Sequence, residues 1–106
     1  MKEIKAYIHN HRIADVVLAL KTLCKKPSLS GCRCLAVVPY KNPFKLTDPN
    51  DRQYYSLQLA QTVVDEFKLE VVCEDKSVDE IVALIKQASG LNPGIYVADV
   101  VSPGET

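Results

Sequence analysis

The hydrophobic period of this chain switches from strand to helix and back, and it does so twice in the same order. That repeat constrains the fold more than any single residue. From Lys2 to His9 the chain alternates, with Ile4, Ala6 and Ile8 on one side and Lys5 and His9 on the other, as in a half-buried strand. Ile13, Val16, Val17, Leu20, Leu23 and Cys24 then recur at helical spacing, which predicts an amphipathic helix over 11–26 that Pro27 and Gly31 end. Cys32 to Tyr40 is β-rich again, with Pro39 at its end or on a sheet edge. In the second half, from Val63, the residues Phe67, Leu69, Val71 and Cys73 alternate with Glu66, Lys68, Glu70 and Val72. Ser77-Val78-Asp79-Glu80 has the spacing of a capping box and opens a helix whose apolar face is Val78, Ile81, Val82 and Ile85. Gly90 closes that helix, Asn92-Pro93-Gly94 turns the chain, and Ile95 to Val101 forms a last strand before a short polar tail, Ser102 to Thr106.

Two β-α-β passages joined by right-handed crossovers predict an α+β fold of ferredoxin-like βαββαβ (split βαβ) type. It has one antiparallel four-stranded sheet with both helices on one face. Strand alternation turns Tyr7, Val64 and Val72 away from the helices, so the open sheet face is expected to be buried between subunits. The 106 residues make a single domain spanning 1–106. The stretch from about 41 to 61 differs in kind. Asn42, Pro43, Asp48, Pro49, Asn50 and Asp51 are turn formers, while Tyr54, Tyr55, Leu57 and Leu59 offer apolar anchor points. A loop of this length inside a small domain is expected to be mobile and functional.

Thirteen basic residues balance thirteen acidic ones, so the excess of positive charge that a general nucleic-acid binder carries is absent. Lys21, Lys25 and Lys26 fit the last turn of a helix better than a phosphate patch. No apolar run approaches the ~20 residues of a membrane-spanning helix, and MKEIKAYIHN alternates too regularly for a targeting peptide, so a cytoplasmic protein is expected. Cys24, Cys32, Cys34 and Cys73 do not follow a zinc spacing, and without a secretion signal they read as buried small hydrophobes. The hairpin pairing of the second and third strands predicts Cys32 and Cys34 near Cys73. Packing is the simpler reading of that group, and oxidation linking Cys73 to Cys32 or Cys34 is the alternative. His9 and His11 read as solvated or capping residues, with no third ligand for a metal. No nucleophile–base pair or paired carboxylate motif suggests an enzyme.

MKEIKAYIHNHRIADVVLALK, EFKLEVVCEDKSVDEIVALI and GIYVADV together resemble the PII and PII-like signalling family (the nitrogen regulatory protein P-II superfamily) over nearly the whole chain. Arg52-Gln53-Tyr54-Tyr55-Ser56 and Val63-Val64-Asp65-Glu66 are most similar to its carboxysome- and bicarbonate-associated branch. The resemblance implies a homotrimer with adenine-nucleotide clefts between subunits. It also implies a T-loop, about 41–61 here, that reports to a transporter or metabolic enzyme. Arg33 and Val72 align with positions lining the adenine pocket. Gly90, Leu91, Asn92 and Gly94 fall in the phosphate-binding B-loop, about 88–94, whose backbone N–H groups could cradle phosphate. Gly90 and Gly94 are equally explained by a helix cap and a turn. Lys41, Phe44, Arg52, Tyr54 and Tyr55 lie in the implied partner-binding loop.

The B-loop is several residues shorter than the family pattern and lacks its lysine, the basic C-terminal segment is missing, and Tyr40-Lys41-Asn42-Pro43 replaces the usual T-loop opening. These departures favour ADP or AMP over ATP, with bicarbonate as a candidate second effector and no tightly bound cofactor. A trimeric adaptor that has lost nucleotide binding is the alternative function. A small enzyme of acylphosphatase type ranks last, because Asn10-His11-Arg12 lacks the glycines of a phosphate cradle.

Overall fold

A computed structural model describes residues 1–27, 32–43, 53–90 and 94–100, with backbone alone at Cys34 and Leu35. Strands β1 (Lys2–His9), β2 (Arg33–Asn42), β3 (Gln53–Ser56), β4 (Gln61–Cys73) and β5 (Gly94–Asp99) form one antiparallel sheet. The order is β2-β4-β1-β5, with β3 also paired to β4. Helices α1 (Ile13–Leu23) and α2 (Val78–Ser89) complete an α+β architecture.

Strand alternation and helix periodicity meet in one core. Ile4, Ala6 and Ile8 of β1 and Leu69, Val71 and Cys73 of β4 face the same way. Val16, Leu20 and Leu23 of α1 and Ile81 and Ile85 of α2 join them in one buried cluster, so both helices cover the same sheet face. Ile4, Ile81 and Ile85 are fully buried. Each such side chain contributes about 1.5–3 kcal/mol of transfer free energy.

The structure corrects several sequence expectations. Helix α1 occupies 13–23 rather than 11–26. His11 and Arg12 form a turn closed by Arg12 N–H donating to the His9 carbonyl at 3.0 Å. At the far end the residue before Pro27 is disfavoured in α conformation, so the chain relaxes into turns after Leu23. Ser77 precedes α2 as expected but makes no side-chain capping bond. A 3-10 turn, Asp75–Ser77, runs straight into the helix, so the backbone of Ser77 is already helical. Gly90 ends α2 at φ +71°, a left-handed conformation that glycine adopts without a Cβ penalty.

The sheet has five strands, not four, and the stretch 41–61 is not all loop. Strand β2 runs on to Asn42, β3 spans 53–56 and β4 begins at Gln61. Residues 44–52 lie outside the described residues. Asn42 and Gln53 both pair with Val64, so they flank β4 from opposite sides, and β3 continues the lane of β1 beyond His9. The result is a three-stranded tongue projecting from the body of the sheet. Pro39 sits in outer strand β2, the edge position that tolerates proline in a sheet.

On the open face, Val64 is 3% and Val72 9% exposed within the single chain, so neither waits for a partner subunit to bury it. That face instead carries the ion pairs Lys5–Glu3 at 3.5 Å and Lys68–Glu70 at 3.3 Å. An aromatic row crosses it. Tyr7 meets Tyr40 edge-to-face at 5.6 Å and Tyr96 at 5.9 Å.

Candidate functional site

The residues assigned to a nucleotide cleft fall at two places. Arg33 opens β2 directly opposite Val72, as the hairpin pairing requires, and its side chain is exposed. Gly94 opens β5 opposite Tyr7, at the other end of the sheet. From the strand rise and spacing, Arg33 and Gly94 lie roughly 20 Å apart, at diagonal corners. One chain therefore does not bring the two groups together. Leu91 and Asn92 lie outside the described residues.

The two glycines are not equivalent. The left-handed φ favours glycine at 90, and a Cβ there would meet the Arg12 guanidinium carbon at 3.2 Å and Nη2 at 3.3 Å, so that side chain would have to give by a few tenths of an ångström. A Cβ on Gly94 would touch the Tyr96 and Tyr7 rings at 3.6 and 3.7 Å, which are ordinary contacts. Nothing within the described chain demands glycine at that position. Arg12 itself escaped the sequence reading, because its role depends on α2 ending against the start of α1. Its Nε is buried with no hydrogen-bond partner among the described residues.

Between the cleft residues and the tongue lies a buried polar cluster. Register places Glu66 of β4 between His9 of β1 and Tyr40 of β2. His9 Nδ1 lies 3.1 Å from Glu66 Oε2. The Tyr40 hydroxyl donates to Oε1 at 3.3 Å, and Asn42 Nδ2 donates to the same oxygen at 2.5 Å. His9 and Glu66 are 7% and 3% exposed, so His9 is not solvated. Burial, reinforced by the adjacent Glu66 carboxylate, pushes the Tyr40 hydroxyl well above the usual tyrosine range. His11 is exposed and stacks on His9, with ring centroids 6.2 Å apart. The signal for this cluster was present as alternation, since all four side chains belong to one face. Only the register brings them together.

The tongue has its own network. Lys41 Nζ donates to the Tyr54 hydroxyl at 2.7 Å, and that hydroxyl donates to Asp65 Oδ1 at 2.5 Å. Lys41 also sits over the Tyr54 ring, 5.2 Å from its centroid. Tyr54 is thus engaged within its own chain, whereas Tyr55, on the other face of β3, is 60% exposed. Leu57 and Leu59 do not anchor the tongue. They stand out at its tip, 88% and 44% exposed, beside Ala60 at φ +53°. Phe44 and Arg52 lie outside the described residues.

Cys73 is fully buried, and Cys32 packs against the same core cluster. Burial, and then the neighbouring Cys24, push the Cys73 thiol up from its ordinary range. Among the described residues no group of three or more His, Cys, Asp or Glu could hold a metal ion, and no helix is long and apolar enough to cross a membrane. Two shallow grooves flank α1, one lined by Val17, Leu20 and Cys24 and the other by Leu18, Thr22 and Leu84, and neither includes a cleft or tongue residue. Compared with known proteins, the chain matches no family model and no curated sequence.

Proposed function

We propose that this chain is a non-enzymatic regulatory protein of PII-like type. It senses an adenine nucleotide in clefts between subunits of a trimer and signals through the tongue to a transporter or metabolic enzyme. The observation that carries this reading is the strand order. With the tongue strand β3 set aside, the order β2-β4-β1-β5 with two helices on one face supports a split βαβ reading. The tongue grows from that sheet between β2 and β4, where the sequence resemblance locates a partner-binding loop. Tyr55, Leu57 and Leu59 give its tip an exposed apolar surface suited to a partner. The diagonal placement of Arg33 and Gly94 fits a cleft only if a neighbouring copy supplies one of the two corners.

Thermal melts with millimolar ADP, AMP and ATP, with and without bicarbonate, test the sensing role. A ligand that binds only the native state at 100 times its Kd adds about 2.7 kcal/mol, a rise of roughly 10 °C or more for a chain of this size. ADP or AMP should raise Tm more than ATP. Absence of any shift would favour the trimeric adaptor. Sedimentation should give three times the 11.8 kDa chain mass, and a stable monomer at micromolar concentration would overturn the trimer.

A further inference from the structure

We infer that Cys32 and Cys73 form a cross-strand redox pair, a site at which a low-molecular-weight disulfide oxidises the chain. The pairing of β2 with β4 sets Arg33 opposite Val72 and Cys34 opposite Val71. Carried one residue past the end of that ladder, the same register would set Cys32 opposite Cys73. Directly opposed residues of antiparallel strands have α-carbons about 4.5–5.5 Å apart, inside the ~7 Å that a disulfide can span. The two thiols also share a face, since Cys73 belongs to the helix-covered core cluster and Cys32 packs against it. Cys34 instead pairs in register with Val71, two residues from Cys73.

Exposure sets the order of events. Cys32 is partly exposed and Cys73 is not, so the small disulfide is attacked first by the Cys32 thiolate. That step forms a mixed disulfide on Cys32 and releases one small thiol. The Cys73 thiolate then attacks the Cys32 sulfur and expels the second small thiol. Overall, two protein thiols and one small disulfide become one protein disulfide and two small thiols, with the two protons passing to the leaving thiolates. The second step is the slower one, because burial holds Cys73 in its protonated form. The bond lies beside Arg33 and Val72, so it fixes the strand ends that carry the proposed adenine pocket, whether or not a nucleotide binds there.

The sequence makes the test direct, because trypsin leaves each cysteine in its own peptide: TLCK, KPSLSGCR, CLAVVPYK and LEVVCEDK. The full chain is treated with oxidised glutathione, remaining thiols are alkylated, and the digest is mapped by mass spectrometry. KPSLSGCR linked to LEVVCEDK should be the dominant cross-link in the wild type and in Cys24→Ser and Cys34→Ser, and absent from Cys32→Ser. Oxidised wild type should melt roughly 10 °C or more above the reduced form, because the bond closes a long loop. Cys32→Ser, which alters only a partly exposed side chain, should show no such gain. A dominant link from LEVVCEDK to TLCK or CLAVVPYK, glutathione retained on Cys32 without a link, or unreacted thiols throughout would each overturn the inference.

Discussion

Replacing Glu66 tests whether the buried cluster holds the tongue to the body. Its carboxylate is 3% exposed and is approached by His9 at 3.1 Å, Tyr40 at 3.3 Å and Asn42 at 2.5 Å. Glu66→Ala removes the acceptor and leaves groups from two other strands buried without it. A hydrogen bond to a charged group contributes about 1.5–3 kcal/mol, so losing those from Tyr40 and Asn42 should cost about 4 kcal/mol. That corresponds to a Tm drop of about 15–30 °C in a domain of this size. Glu66→Gln keeps one acceptor oxygen for Tyr40 and Asn42 and should lose only about 1–2 kcal/mol. Urea titration followed by far-UV circular dichroism, at one fixed protein concentration, reads both. A loss below about 1 kcal/mol in the alanine variant would refute the reasoning. So would equal losses in the two variants, since the argument rests on acceptor geometry and not on side-chain volume.

The two B-loop glycines should separate cleanly: Gly90→Ala should lower stability by about 1–2 kcal/mol from its left-handed φ, while Gly94→Ala should leave the melting curve unchanged within about 0.5 kcal/mol. If Gly94→Ala also weakens ADP or AMP binding, that glycine serves ligand approach and not the fold. Ile81→Ala in the fully buried centre of α2 should cost about 2–5 kcal/mol by thermal melt, and a smaller loss would mean the helix does not seal the core. Tyr40 and Cys73 both have raised folded-state pKa values, so in the unfolded chain they lose their protons first. Their contribution is therefore complete below about pH 8.5 and is lost as pH rises above it, first through Cys73 and then through Tyr40. Urea midpoints from pH 7 to 11 should fall over that range, and Tyr40→Phe should flatten the upper part of the decline.

The body of the fold was legible because period alone separates its elements. Ile4, Ala6 and Ile8 could only be one face of a strand, and Ile81 and Ile85 only one face of a helix. The tongue was not legible, because the turn formers between Lys41 and Gln61 conceal a four-residue strand too short for alternation to announce itself. Exposed Leu57 and Leu59 misled for a related reason: hydropathy cannot tell an anchor from a displayed residue. Glu66 and Arg12 were hidden in another way. Each acquires its neighbours from elements distant in sequence, His9 and Tyr40 for the first and Gly90 for the second, so only register and helix docking reveal them. Val72 shows the converse error, since alternation gave its face correctly but not its burial.

Strand β4 belongs to the body and to the tongue at once, and this couples the phase of one to the other. A single residue inserted between Asp65 and Glu66 would turn Val63 and Asp65 to the opposite side while Leu69 and Val71 stayed against the helices. The Lys41–Tyr54–Asp65 contact would be lost even though each strand could still pair. An insertion of two residues would restore the facing and only lengthen the projection. Around Leu57 and Ala60, where the chain merely reverses, any number of residues can be added without touching that phase. Length variation in the tongue is therefore unrestricted at its tip, but along its central strand it is admissible only in even steps.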